Sequence, residues 1–146
     1  MFGMKAAILY SSLTGNTRKA GELIAANLQQ EGWGVTTVCP LNQLEMGGIQ
    51  EADVVVVGTW VHGLFVVGQA PFALGNIANL PPMRGKLSAS FCTFALNPGK
   101  SLDKLDTALR GVGTDVIGGL ALHRAKLEEH TEEFAARLVA NTPARA

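Results

Sequence analysis

Tyr10-Ser11-Ser12-Leu13-Thr14-Gly15-Asn16-Thr17 separates two segments of different periodicity, and its reading decides the fold. Before it, Lys5-Ala6-Ala7-Ile8-Leu9-Tyr10 is almost wholly apolar and lacks the alternation of a half-wet sheet, so it reads as a buried strand. After it, from Arg18 onward, Ala20, Leu23, Ile24 and Leu28 recur at helical spacing, with Lys19, Glu22, Gln29 and Gln30 on the other face. The connection consists of hydroxyls, one glycine and one asparagine. Such a loop can aim backbone N–H groups and hydroxyls at one point, in front of a helix N-terminus carrying about half a positive charge. Gly15 leaves room for close approach and tolerates positive φ. The stretch reads as an anion site, with phosphate the best fit.

Spacing separates this loop from three other phosphate-handling loops. A nucleotide-triphosphate loop needs G-x-x-x-x-G-K-[ST], and no Gly-Lys-Ser/Thr stands in this stretch. A dinucleotide fingerprint needs three spaced glycines, and the loop has one. A Cys-x5-Arg phosphatase loop matches Ser12 and Arg18 in spacing, but serine lacks the thiolate, and neither Cys39 nor Cys92 lies in the loop. The loop is built to bind a phosphate rather than attack one.

The residues Ser12-Leu13-Thr14-Gly15-Asn16-Thr17 resemble the S-x-T-G-N-T phosphate loop of flavodoxins, which holds the FMN phosphate. Their place between first strand and first helix is also the one that family uses. The resemblance implies FMN as cofactor, with these six residues as phosphate contacts.

Length and composition set bounds around this. The chain has 146 residues, enough for one domain with a proper core, and it is read as a single domain over 1–146 with a frayed tail from 141. Its formal charge is zero, so no electrostatic footprint for nucleic acid or an anionic membrane is expected, and docking to partners is expected to be weakly steered by charge. Two isolated cysteines form neither a metal pattern nor a disulfide framework, which fits a reducing cytoplasm. The N-terminus has no signal-peptide apolar region, and the longest apolar runs fall short of a membrane span. A cytoplasmic, soluble protein is expected.

Further along, Gly32 is a helix stop and Trp33-Gly34 a turn, followed by a second strand at Val35-Thr36-Thr37-Val38. Between 41 and 52, Leu44, Met46 and Ile49 suit a short helix, but Gly47-Gly48 interrupts it. Asp53-Val54-Val55-Val56-Val57-Gly58 is the clearest strand and releases a loop, Thr59-Trp60-Val61-His62-Gly63. Pro71 suits a first helical turn, with Ala73, Ile77 and Leu80 as its buried stripe. Residues 86–94 form a fourth strand leading into Ala95-Leu96-Asn97-Pro98-Gly99. Ser101 caps a helix with Leu102, Leu105 and Leu109 inside and Gly111 at its end. A fifth strand over 116–122 is loosened by Gly118-Gly119, and a last helix buries Leu127, Phe134 and Leu138.

Five strands alternating with helices imply an α/β fold with a parallel sheet and helices on both faces; the resemblance implies a flavodoxin-like three-layer sandwich, its five strands in the order 2-1-3-4-5. In that order ligands bind beyond the carboxyl ends of strands one and three. The phosphate loop and Thr59-Trp60 both fall there. Trp60 offers the largest aromatic face for a flavin ring, and Thr59-Trp60 is similar to the Thr-Trp of flavodoxins.

The resemblance extends the cofactor-contacting set to Thr59, Trp60, Val61, His62, Gly63, Phe94, Ala95, Leu96, Asn97 and Gly99, with Phe94 or Leu96 over the second ring face. The chain departs from the family where Val61-His62-Gly63 replaces the glycine and aspartate often found after the tryptophan. In the fourth loop, Phe94-Ala95-Leu96-Asn97-Pro98-Gly99 replaces the frequent tyrosine and acidic residues. The compact chain resembles the short form of the family. Loops nearly free of carboxylates are expected to leave fully reduced FMN less disfavoured than in an acidic flavodoxin, each tenfold change being ~1.4 kcal/mol.

Other residues have quieter readings. His62 is either a proton carrier beside the flavin or a solvated loop residue. The run Leu64-Phe65-Val66-Val67 could dock a partner, fill a buried turn or form a dimer contact; the chain is otherwise expected to be a monomer. Cys92 reads as a core residue. Arg18 either reaches the phosphate or, like Lys19, faces solvent.

The leading function is an FMN-binding electron carrier between redox partner proteins, a reductase and an acceptor enzyme. No Ser-His-Asp set, carboxylate pair or metal cluster is visible, so no catalytic residue or metal is assigned. A flavin enzyme on the same fold, such as an NAD(P)H-dependent quinone reductase or a protoporphyrinogen-oxidising relative, is the alternative, with His62 and 64–67 lining its pocket. A cofactor-free binding module is a third. A response-regulator receiver lacks support, since strand three ends in Gly58-Thr59 without a phospho-acceptor aspartate.

Overall fold

Apolar runs without alternation form the centre of the sheet. The computed structural model describes residues 4–11, 15–62, 70–71, 80–95 and 99–143. In β1 (Lys5–Tyr10) and β3 (Val54–His62), Ala6, Ala7, Ile8, Leu9 and Val54, Val55, Val56, Val57 have no exposed surface. With β2 (Gly34–Pro40), β5 (Leu87–Phe94) and β6 (Asp115–His123) they make a parallel sheet in the order β2-β1-β3-β5-β6. This is the expected 2-1-3-4-5 order. A two-residue strand, β4 (Ala70–Pro71), pairs antiparallel with the end of β3 and shifts the later numbering.

Two cores lie on opposite faces of the sheet. On one, α1 (Asn16–Gln30) and α4 (Leu127–Asn141) bring Ala20, Ile24, Leu28, Phe134 and Leu138 onto Ile8, Val54, Val56 and Phe91. On the other, α2 (Met46–Glu51) and α3 (Ser101–Gly111) bring Ile49, Leu105 and Leu109 onto Leu9, Val55, Val57 and Cys92. Strand alternation deals neighbouring residues to alternate faces, and parallel crossovers put every helix start at the carboxyl end of the strands. No helix among the described residues is long and apolar enough to cross a membrane.

Several boundaries differ from expectation. β3 does not end at Gly58 but runs through Thr59, Trp60 and Val61 to His62, because Val61 and His62 pair with Pro71 and Ala70. Pro71 therefore lies in a strand and not in a first helical turn; the helix expected after it falls on 72–79, outside the described residues. Gly47 and Gly48 lie inside α2 rather than interrupting it, because Gly48 packs against β2, where a Cβ would stand 2.7 Å from Thr37 Cβ. α1 begins at Asn16, two residues early. Ser101 is the first residue of α3 and makes no capping bond. The turn after α3 is carried by Gly113 at φ 98, and Gly32 turns the chain after α1 at φ 91.

The two glycines of β6 have opposite roles. A Cβ on Gly119 would stand 2.6 Å from Ser90 Oγ, whose hydroxyl donates to Asp106 Oδ1 at 2.7 Å. A Cβ on Gly118 meets nothing closer than Asn141 Nδ2 at 4.0 Å, beside a cavity of about 90 Å³ lined by Ala89, Phe134 and Leu138. Gly118→Ala is expected to stabilise by ~0.5–1 kcal/mol by restricting the unfolded chain, read as a higher urea midpoint at unchanged slope. Gly119→Ala is expected to lower the same midpoint.

Candidate functional site

The carboxyl ends of β1, β3 and β5 converge, and hydrogen bonds tie them together. Ser11 N–H donates to Gly58 O at 2.9 Å, drawing the start of the phosphate loop onto β3. Trp60 pairs in register with Thr93 of β5. The Thr93 hydroxyl shares a buried 2.8 Å hydrogen bond with the Thr17 hydroxyl at the start of α1. Thr17, Trp60 and Thr93 thus join three separate stretches of the chain at one end of the sheet. Thr93 was not among the residues expected here. Its only sequence signal was a hydroxyl near the end of a buried strand.

The remaining expected residues fall as follows. Gly15 is the N-cap of α1, left-handed at φ 94 and exposed. Among the described residues, neither a capping side chain nor an acidic residue stands in the first turn of α1. Asn16 is half-buried and begins the helix. Arg18 extends along the helix surface, its Nε 3.3 Å from Glu22 Oε2, which spends its charge on a solvated pair. Thr59 is fully buried and Trp60 half-buried on β3; by alternation Trp60 shares the sheet face of Val56 and Gly58, the face covered by α1. Val61 and His62 lie in the β3–β4 pairing rather than in a loop.

Phe94 ends β5, half-buried, with its ring edge-on to His123 at 5.1 Å, and Ala95 follows it. Gly99 is exposed at φ 58, just before α3. Ser12, Leu13, Thr14, Gly63, Leu96 and Asn97, with the run 64–67, lie outside the described residues.

A flat, polar-edged cofactor with a phosphate suits what is there. Among the described residues, a Cβ built on Gly15 meets nothing within 4 Å. Among the described residues the hydroxyls of Thr59 and Ser101 are buried without a hydrogen-bond partner, and both lie at the carboxyl end of the sheet, one on β3 and one at the start of α3. Buried hydroxyls of this kind call for a polar partner from a ligand or an ordered water. The donor set is hydroxyls and amides without carboxylates, which matches a phosphate and a neutral ring edge. Among the described residues no group of His, Cys, Asp or Glu could hold a metal ion.

Cys92 pairs in register with Thr59, and burial pushes its thiol from 9.0 up to about 12. The thiolate is the reactive form, so Cys92 is expected to resist thiol reagents in the native state at mildly alkaline pH. The unfolded thiol ionises first, near 9, so its contribution to stability is complete below that pH and declines as pH rises towards about 12. Denaturant titrations of wild type and Cys92→Ala across that alkaline window check this: the slope with pH is expected to flatten in the variant.

A doubly wound parallel sheet of this order defines an α/β protein whose ligand crevice lies at the switch point, beyond β1 and β3. The model of the flavodoxin domain matches residues 7–81, just over half of the chain, and the chain belongs to that family. FMN is the cofactor this membership implies, and electron carriage is its general role.

Solved structures agree on the fold. Oxidised flavodoxin 2 from Bacillus cereus aligns over 94% of this chain and 99% of its own, at 19% identity and a TM-score of 0.74. The flavodoxin of Streptococcus pneumonia TIGR4 aligns over 94% and 99%, at 22% identity and a TM-score of 0.69. Two-electron reduced Megasphaera elsdenii flavodoxin aligns over 90% and 98%, at 22% identity and a TM-score of 0.67. No curated protein matches the chain in sequence.

Proposed function

We propose that the chain holds FMN with its phosphate at Ser12, Leu13, Thr14, Gly15, Asn16 and Thr17 and its ring beside Trp60, and that it passes electrons between a reductase and an acceptor enzyme in the cytoplasm. The observation that carries this reading is the junction of Thr17, Trp60 and Thr93 at the start of α1. The Thr17 hydroxyl shares its hydrogen bond with Thr93, which holds the start of α1 in place, and its backbone N–H is offered to the phosphate, while Gly15 and Asn16 bring the chain close. Bound FMN supplies the one- and two-electron chemistry; the protein binds it, orients the ring and sets its surroundings. Residues 59–63 and 94–99 border the ring, and Thr59 and Ser101 offer hydroxyls for a polar edge or an ordered water.

The visible spectrum of the purified protein, before and after FMN and then dithionite, tests the reading. Stoichiometric uptake with a perturbed flavin band, bleached by dithionite, is the expected result. Failure to take up FMN at saturating concentration overturns it.

A further inference from the structure

Formal neutrality conceals an uneven distribution of charge. No Asp, Glu, Lys or Arg occurs anywhere in 54–83 or 87–99, so the stretches that follow β3 and β5 in the sequence carry no formal charge. The charges at this end come from the starts of the four helices, exposed Glu45 before α2 and Glu128 and Glu129 in α4 among them, and from the turn between β6 and α4. Lys19, Arg124 and Lys126 are exposed and line one cleft of about 420 Å³ with Ala125, Leu127, Glu128 and Glu129. Arg124 N–H donates to Phe94 O at 2.9 Å, so this cleft begins where the fourth loop begins. Lys100 and Lys104 are exposed at the start of α3, against Asp103. Within the cleft Glu129 lies 4.0 Å from His130, and Arg18 beyond it is engaged by Glu22.

We infer that the cleft of Lys19, Arg124 and Lys126 is one flank of a docking face around the cofactor mouth, and that it fits a redox protein with a carboxylate-rich surface. This rests on the electron-carrier reading above. An uncharged centre with a charged rim is the usual anatomy of a protein interface, and rim charges govern encounter and orientation. Encounter follows the local field rather than net charge, so a formally neutral protein is still steered. A protein partner fits better than a nucleic acid, because Glu128 and Glu129 interrupt the cationic run that a continuous phosphate backbone needs.

The test uses the FMN-loaded protein, reduced with dithionite and mixed with two forms of one acceptor: ferric cytochrome c, which is basic, and the same cytochrome succinylated at its lysines, which is acidic. Each ferric haem takes one electron, so two haems oxidise one fully reduced flavin, whose protons pass to water. At about 20 mM salt the succinylated form is expected to be reduced about tenfold faster than the native form, and this advantage fades by about 500 mM. The triple variant K19E/R124E/K126E is expected to keep its FMN and reverse the preference. In the oxidised protein, amide shifts on adding succinylated cytochrome c are expected to map to 19 and 124–126.

Equal, salt-independent rates with FMN retained overturn the docking inference and leave the carrier reading intact. Absence of FMN uptake overturns the carrier reading and the inference with it. Tighter retention on duplex DNA than on the succinylated cytochrome at equal salt also overturns the inference.

Discussion

Gly58→Ala is expected to destabilise the protein by at least ~3 kcal/mol, enough to unfold a large fraction of a domain of ordinary stability. Gly58 pairs in register with Phe91 across β3 and β5, and the Phe91 ring lies over the glycine, so a Cβ there would overlap Cζ, Cε1 and Cε2 of the ring. The ring cannot step aside. Phe134 closes it edge-on at 6.0 Å, and a Cβ on Gly21 of α1 would already stand 3.9 Å from its Cζ. Phe91 itself has no exposed surface. Shortening the ring tests this cause: Phe91→Leu alone costs about 1–2 kcal/mol for its cavity, and the double variant Gly58→Ala/Phe91→Leu is expected to be more stable than Gly58→Ala alone. Urea denaturation of the four proteins gives the coupling. Additive losses would refute the packing account.

The same pair shows how much the sequence could tell. Continuous apolar runs mark strands buried on both faces whatever surrounds them, so β1, β3 and β5 were legible, and alternation with helices made the sheet parallel; its order was carried by the family resemblance of the first loop. Gly58 read only as the end of a strand. That it accommodates Phe91 depends on inter-strand register, which no local pattern encodes. The overshoot of β3 to His62 has the same origin. Thr59, Trp60 and Val61 favour extended structure, but only pairing with Ala70 and Pro71 commits them to it, and Pro71 suits a helix start equally well.

Gly48 inside α2 is a close approach to Thr37 imposed by packing, against the helix propensity of Gly47-Gly48. For the candidate site, the motif and the strand ends pointed to the loop and Trp60, of which Gly15, Asn16, Thr17 and Trp60 lie among the described residues. The hydroxyl bond from Thr17 to Thr93 spans 76 residues and was beyond reach of any motif.

Gly15→Ala is expected to weaken FMN binding about 10- to 100-fold while costing the fold only about 1–2 kcal/mol. Two glycines bracket α1, Gly15 at φ 94 before it and Gly32 at φ 91 after it, and a Cβ on either meets nothing within 4 Å. Neither substitution creates an overlap, and each imposes the same left-handed strain of ~1–2 kcal/mol on a non-glycine residue. Stability alone therefore cannot tell the two variants apart. Affinity can, because only Gly15 lies at the helix mouth. A chain that relaxes its strain there turns its amides away and must recover that strain on binding, which at ~1.4 kcal/mol per tenfold gives about 5- to 30-fold. The methyl group standing in the approach to the phosphate adds the remainder. Gly32→Ala, at the far end of the helix, is expected to lose a similar amount of stability and to bind FMN as the wild type does. Quenching of flavin fluorescence gives both dissociation constants, and equal affinities in the two variants would remove the phosphate from the mouth of α1.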